Sequence, residues 1–337
     1  MQRTVKAQNK RTTVTDVARL AQVGASTVSR FLRGVPIRPK AAERVTRAVK
    51  ELGYEPDESA RALRSGRSRT IGVMLPKSSN VFFSECVQVA EEEARRRGCT
   101  LVVLTHADQL ELQLEHLATL RRYRTDGVIL VGAPGTTLRA VRAAFSDGPV
   151  VAFDSDISSG VDAVLLDNHA AARAATEHLL SHGYSHVACV TGRPEIYSFH
   201  ERAAGYAAAM QAKGLPSDLI VAADYPRLHA LLKDAMQSKD RPTALLSLSD
   251  FATRSILSAY IELGLKPAER MPMISFDDFD FAPLLDPPLT VVRQPVAEMV
   301  SQALSILFSR IEGTAPKKTK RILCPGELVY RRSCGCS

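Results

Sequence analysis

From residue 70 onward the sequence switches repeatedly between two hydrophobic periods, and this alternation restricts the fold more than any other feature of the chain. Short apolar runs rich in β-branched residues stand at Thr70–Leu75, Thr100–Leu104, Gly127–Val131, Val150–Phe153, Val187–Thr191, Ala244–Leu248 and Met273–Phe276. Between them the spacing predicts amphipathic helices near 84–97, 111–122, 168–182, 201–213, 227–238 and 251–263. Runs that are apolar throughout suit strands buried on both faces, and strand–helix–strand repetition places them in parallel sheets covered by helices on either side. About eight strands over this length are too many for one compact doubly wound unit, so two lobes are expected. Ligands of such sheets bind outside the carboxyl ends of the strands, which makes a cleft between the lobes the expected site.

The first part of the chain follows other rules. Residues 1–12, rich in Lys, Arg, Gln and Thr, read as a disordered basic tail. Thr13-Val14-Thr15-Asp16 fits a capping box, with Val17, Leu20 and Ala21 following at helical spacing. After a break at Gln22-Val23-Gly24, a helix from Ala25 to Leu32 presents Val28 and Leu32 on one face. A third, from Pro39 to Leu52, turns Ala42, Val45, Val49 and Leu52 towards the other two and ends at Gly53. Two short helices joined by a tight turn make a helix-turn-helix. This all-α head spans 13–56, and the polar, basic stretch 57–69 reads as a hinge. Within it Asp57 to Arg64 suffices for two helical turns, too few to be stable alone.

Charge separates the same two parts. Residues 1–69 hold 16 Lys and Arg against 6 Asp and Glu, while the remaining 268 residues hold 28 against 30. The whole excess of +8 therefore lies in one fifth of the chain, the electrostatic footprint expected for a polyanion. Nucleic acid is favoured over a membrane surface because the head has no long helix with a broad apolar face.

Other classes are excluded or weakened. No apolar run approaches the roughly 20 residues of a membrane-spanning helix, and the basic start leads into Thr and Asp rather than an apolar stretch, so no secretory signal is expected. The six cysteines are scattered, which points to a reducing, cytoplasmic setting. Cys334-Gly335-Cys336 suits metal binding or redox sensing, but a frayed tail with incidental thiols is the expectation. Neither GxGxxG nor GxxxxGK[ST] follows any of the strands. Cys189 and His178 are the nearest candidates for catalysis, and neither has a recognisable partner. No enzyme activity, cofactor or metal is expected; the rival reading is an enzyme or transport-type binding protein with an incidental basic arm.

Thr13-Val14-Thr15-Asp16-Val17-Ala18, then Ser26-Thr27-Val28-Ser29-Arg30-Phe31-Leu32, then Glu51-Leu52-Gly53-Tyr54-Glu55-Pro56 and Ala60-Arg61-Ala62-Leu63, resemble the head and hinge of the LacI/GalR family of bacterial repressors. Further segments similar to the family run in order through the body, among them Asn80-Val81-Phe82-Phe83, Asp126-Gly127-Val128-Ile129, Arg202-Ala203-Ala204-Gly205-Tyr206, Ser275-Phe276-Asp277-Asp278 and Leu289 through Pro295. The resemblance covers nearly the whole chain. It implies an α/β fold with a small helix-turn-helix head and a two-lobed, periplasmic-binding-protein-like sensor domain over 70–334, one lobe from 70–166 plus 296–323 and the other from 167–295 plus 324–334. It implies a homodimeric regulator, a repressor in most relatives, that binds a near-palindromic operator in double-stranded DNA under control of a small-molecule effector.

The resemblance also implies roles. Ala25, Ser26 and Arg30 open the helix that enters the major groove, with Arg30 long enough for a bidentate contact to guanine. Thr13, Thr27, Ser29 and Arg33 suit phosphates, and Tyr54, Ala60 and Arg64 belong to the same surface. Leu63, an apolar residue on a basic hinge, corresponds to a minor-groove wedge. In the body Arg202 and Asp277 are the implied polar anchors of the effector, with Asp154 and Gln294 beside them, Phe82 and Phe83 as an apolar wall, and Tyr225 and Ser249 completing the set. Departures exist: the turn carries Gln22-Val23-Gly24 where relatives have Gly then Val-Ser, Ser249 replaces a frequent Asn, and Ile196 stands at a position that is basic in some relatives. Ser29 to Arg33 is most similar to the gluconate-type repressors, which suggests a sugar acid served by Arg202, Arg193, His200 or Lys77; a sugar, or a purine-type co-repressor, is the alternative. With no leucine heptad near the end, a coiled-coil tetramer is not expected.

Overall fold

The computed structural model describes residues 12–32, 34–54 and 67–336. Two compact units divide the chain, one up to Ser68 and one from Arg69.

In the first unit α1 (Val14–Ala21), α2 (Ala25–Leu32) and α3 (Pro39–Glu51) enclose one small core. The capping box forms: the Thr13 hydroxyl accepts from the Asp16 N–H at 3.3 Å, and the Asp16 carboxylate accepts from the Thr13 N–H at 3.0 Å. Val17, Ala18, Ala21, Val28, Val45, Ala48 and Tyr54 are buried together. Two expectations are corrected. Leu20 faces solvent at 42% exposure, because the buried stripe of α1 runs through 17, 18 and 21. Ala42 is only half-buried, and Ala48, one turn beyond Val45, fills the core instead.

The α1–α2 turn shows what the unusual Gln22-Val23-Gly24 does. Gln22 takes the left-handed conformation at φ 50°, ψ 47°, the geometry in which a glycine ends a helix at no steric cost. Gly24 serves as the start of α2 through its carbonyl, which accepts from Thr27 and Val28. Gln22→Gly is therefore expected to raise the stability of the head by about 0.5–1 kcal/mol, measured by thermal unfolding of the head. No gain would mean that the glutamine side chain repays its backbone strain.

The second unit contains two six-stranded sheets. The strands are β1 (Thr70–Leu75), β2 (Thr100–Thr105), β3 (Gly127–Leu130), β4 (Val150–Phe153), β5 (Asp162–Leu166), β6 (Val187–Thr191), β7 (Asp218–Val221), β8 (Ala244–Ser247), β9 (Met273–Phe276), β10 (Thr290–Arg293), β11 (Arg321–Cys324) and β12 (Glu327–Val329). Their orders are β11-β5-β4-β3-β1-β2 and β12-β10-β9-β8-β6-β7. All neighbours are parallel except β10 and β12. The helices are α4 (Val81–Arg96), α5 (Leu110–Arg122), α6 (Leu138–Ala144), α7 (Asn168–Ser181), α8 (Tyr197–Ala212), α9 (Tyr225–Gln237), α10 (Asp250–Glu262) and α11 (Val296–Glu312).

Twelve strands among the described residues replace the expected eight: the edge strands β7, β11 and β12 are short or mixed in polarity, while β5 and β10 lie inside their sheets and were missed as apolar runs. The chain passes between the sheets three times: from β5 to α7, from β10 to α11, and from β11 to β12. After the second passage α11 returns to pack on α4 and on β3, β4 and β5 of the first sheet. In each sheet strand order reverses once, between β1 and β3 and between β6 and β8, leaving a crevice at the carboxyl ends.

The end of the chain corrects another expectation. Cys334 is fully buried, and Ser333 donates to the Met273 carbonyl at 2.7 Å while accepting from the Thr290 N–H at 2.8 Å. These bonds to the second sheet hold the segment in place, so it does not fray. No described helix is long and apolar enough to cross a membrane.

Candidate functional site

In the head unit, Thr13, Ala25, Ser26 and Arg30 are exposed, and Thr27 and Ser29 half-buried. Arg30 reaches the Pro36 carbonyl from Nη2 at 3.4 Å, a weak contact that leaves its guanidinium at the surface. Thr13 gives its hydroxyl proton to Asp16 at 2.7 Å, so its proposed bond to phosphate competes with the capping box. Tyr54 corrects the sequence reading: at 8% exposure it belongs to the core of the head. Arg33, Ala60, Leu63 and Arg64 lie outside the described residues.

In the second unit a cavity of about 190 Å³ opens where the carboxyl ends of both sheets meet. A single water needs about 10–15 Å³ on this measure, so there is room for roughly a dozen water-sized groups. Phe82, Phe83, Asp154, Arg202, Ser249, Asp277 and Gln294 all line it. Tyr225 does not. It begins α9 at 40% exposure, stacked on His229 and edge-on to Phe251, and Phe251 is the ring that reaches the cavity.

Arg202 lies at the centre, 2% exposed. Its Nε donates to Asn168 Oδ1 and its Nη1 to the Leu248 carbonyl, both at 2.7 Å. The guanidinium carbon sits 4.2 Å from the centroid of the Phe276 ring. Gly205, one turn along α8, makes this position possible, since a side-chain carbon there would overlap the His169 carbonyl of α7. Close backbone packing of α7 on α8 brings Asn168 to Arg202.

Two carboxyl groups flank this cation from opposite sheets. Asp154 follows β4 and Asp277 follows β9, at equivalent places in the two strand orders. Each adopts positive φ, 48° and 72°, an uncommon conformation that Asp tolerates better than most side chains. Their N–H groups donate to matching neighbours, Val164 and Val292. Asp277 accepts from Gln294 Nε2 at 2.6 Å. Burial raises the Asp277 carboxyl, against the lowering effects of Arg202 and Gln294. Burial pushes Asp154 from 3.8 up to about 7, with Arg202 pulling it down and Asp277 pushing it further up. Asp154 Oδ1 and Gln294 Oε1 are buried and have no hydrogen-bond partner among the described residues.

Sequence reasoning missed the contacts that join the two sides of the cavity. Asn80, which caps α4, donates to Asp250 Oδ1 at 3.2 Å, and Arg193 pairs with Asp108 at 3.3 Å. Of the cations suggested for a carboxylate, Arg193 is thus already engaged and His200 lies outside the cavity lining, while Lys77 lines it and is exposed. Asn80 carried a signal, an Asn ahead of an apolar helix; Asp250 carried none.

Comparison with known proteins decides the family. Residues 13–57 match the model of bacterial regulatory proteins of the lacI family, and residues 176–334 match a periplasmic binding protein-like domain. The HTH-type transcriptional repressor PurR of Vibrio vulnificus is 32% identical over 326 residues, 95% of this chain and 97% of the relative. The chain belongs to the LacI family. It is accordingly a DNA-binding transcriptional regulator with a ligand-binding sensor domain. Within the LacI family, the Lac repressor dimer bound to operator and an anti-inducer shares the fold at a TM-score of 0.85 and 23% identity, over 96% of this chain and 99% of that one. A periplasmic binding protein/LacI transcriptional regulator from Alkaliphilus metalliredigens, complexed with D-xylulofuranose, aligns at a TM-score of 0.71 and 25% identity, over 79% of this chain and 98% of that one.

Proposed function

We propose that this LacI-family regulator is a homodimeric repressor whose sensor cleft takes a sugar or sugar acid and recognises it through its hydroxyl groups. The observation that carries this reading is the pair of partnerless buried acceptors, Asp154 Oδ1 and Gln294 Oε1, beside the fixed guanidinium of Arg202. Buried acceptors call for donors, and a polyol supplies several, whereas a bare carboxylate only accepts. Phe82 and Phe83, set edge to face with ring centroids 5.0 Å apart, give an apolar side against which the carbon-bound hydrogens of a sugar ring or chain can pack. A relative complexed with D-xylulofuranose is consistent with this class. The carboxylate of a sugar acid such as gluconate or a ketogluconate would lie towards Lys77 at the mouth.

A thermal-shift screen against sugars, sugar acids and purines tests the effector class. Binding at a hundredfold excess over Kd stabilises by about 2.7 kcal/mol, a rise of roughly 5–10 °C for a domain of this size. A purine as the sole stabilising ligand would refute the polyol reading.

For the head, the reading is that Arg30 reads a base edge while Ala25, Ser26, Thr27 and Ser29 set the register. Leu63, as the hinge wedge, rests on the family resemblance. Arg30→Ala is expected to relax base preference at one symmetric operator position, at a cost of about 1–3 kcal/mol in specific binding. Unchanged preference in a binding-site selection would refute the assignment. The dimeric Lac repressor on its operator supports an isologous pair of heads on two half-sites.

A further inference from the structure

We propose that the C-terminal Cys334-Gly335-Cys336 and the end of α7 form a structural zinc site of the Cys2His2 type. His178, in the last turn of α7, and His182, the residue that caps its C-terminal end, lie four residues apart, and both turn Nε2 towards the tail. His178 Nε2 is 3.3 Å from His182 Nε2, 3.3 Å from Cys334 Sγ and 3.4 Å from Cys336 Sγ. His182 Nε2 is 3.4 Å from Cys336 Sγ, and the two sulfurs are 3.3 Å apart. All four donor atoms lie within 4.8 Å of one another.

These are the edges of a tetrahedron. With zinc–sulfur bonds of about 2.3 Å and zinc–nitrogen bonds of about 2.0–2.1 Å, tetrahedral coordination sets ligand separations of roughly 3.3–3.8 Å. The nitrogen–nitrogen pair and three nitrogen–sulfur pairs lie within about 0.3 Å of their tetrahedral separations, the two sulfurs at 3.3 Å would part by about 0.5 Å on binding the ion, and the sixth pair, His182 Nε2 and Cys334 Sγ, is no more than 4.8 Å apart. A disulfide does not explain the arrangement, because its sulfurs would stand about 2.05 Å apart and the histidines would have no reason to converge. The donor set selects a borderline-soft divalent ion, and two thiolates neutralise its charge at a site where Cys334 is buried, His178 and Cys336 are half-buried and His182 is exposed.

The surroundings hold the ligands in place. Gly335 takes φ 96°, which lets both cysteines face the same point, and a side chain there would collide with the Tyr184 hydroxyl. The Thr290 hydroxyl lies 3.1 Å from Cys334 Sγ, and the Tyr330 ring packs 4.8 Å from the His178 ring. Cys334 and His178 are 156 residues apart in sequence, so the ion would close a long loop and tie the chain end to α7. The opposite end of α7 is Asn168, the partner of Arg202.

The test uses the full chain, purified without chelator or polyhistidine tag. Wild type is expected to retain about one zinc per chain by elemental mass spectrometry. His182→Asn and Cys336→Ser, both at the accessible side of the cluster, should each retain less than about a tenth of that. Cobalt reconstitution should give the intense visible bands of a tetrahedral site together with thiolate charge transfer. Chelation should lower the melting temperature of wild type but not of either variant. The proposal is overturned if wild type holds no more zinc than the variants, if cobalt gives a weak octahedral spectrum, or if intact mass shows the two cysteines joined as a disulfide.

Discussion

Arg202→Met is expected to lower the stability of the sensor domain by about 3–5 kcal/mol and to abolish the effector response. Methionine keeps the stem against Phe276 but removes the positive charge that, among the described residues, offsets both Asp154 and Asp277. It also leaves Asn168 Oδ1 and the Leu248 carbonyl without their donor. Both carboxyl groups should then hold their protons to higher pH. Urea unfolding at pH 6 and pH 8 checks this: the deficit should be larger at pH 8, where the folded state must either carry the charge or keep protons that the unfolded chain has released. A loss below about 1 kcal/mol at both values would mean that the arginine is an ornament of the fold rather than its counter-ion.

Asp154→Asn should act in the opposite direction on stability. The folded-state value of about 7 lies above the ordinary 3.8. Between these values the native protein binds a proton that the unfolded chain has lost, so the favourable contribution is fully present below 3.8 and disappears as pH rises through about 7. The shift amounts to about 4 kcal/mol, accumulated at up to ~1.4 kcal/mol per pH unit. At pH 8 the asparagine variant is therefore expected to be the more stable protein, with the gap closing towards acid. Its effector affinity should nonetheless fall about tenfold, because a neutral amide accepts a weaker hydrogen bond than a carboxylate. Parallel stability–pH profiles for the two proteins would show that Asp154 does not titrate in this window.

The sequence made the cores and strand ends legible, and with them most of the cavity. β1, β4, β6 and β9 begin and end where their apolar runs do, because strands buried on both faces are apolar nearly throughout, with Ser275 of β9 the polar exception inside a run, its hydroxyl hydrogen-bonded. Asp154 and Asp277 follow such runs directly, a placement that agrees with the effector-site role the family resemblance implied for Asp277. Edge strands escaped: β7 and β11 each have partly exposed residues, and their mixed pattern resembles a loop. α11 also escaped, though not for want of a periodic pattern. Val296, Met299, Val300, Ala303, Leu304 and Leu307 keep the spacing of one helix face, so its pattern was present, with Ile306 and Phe308 widening the buried stripe.

Side-chain placement was less readable than the elements. Tyr54 looked like a surface contact because it stands next to a polar hinge, yet its ring completes a core too small to close without it. Tyr225 begins the right helix, but its ring leans on His229 while Phe251, from the next helix, reaches the cavity. Cys334 and Cys336 looked incidental because their partners are more than 150 residues away, and only the packing of the tail on the second sheet brings them to α7.

Three passages of chain between the two sheets have a mechanical consequence. A single tether would let the halves tumble, and two would let them twist about the line joining them. Three short connections, at 166–168, 293–296 and 324–327, pin one half to the other like the knuckles of a door hinge. The freedom left is opening and shutting, with Asp154 on one leaf and Asp277 on the other. A molecule clasped between those leaves can report its presence only as an angle.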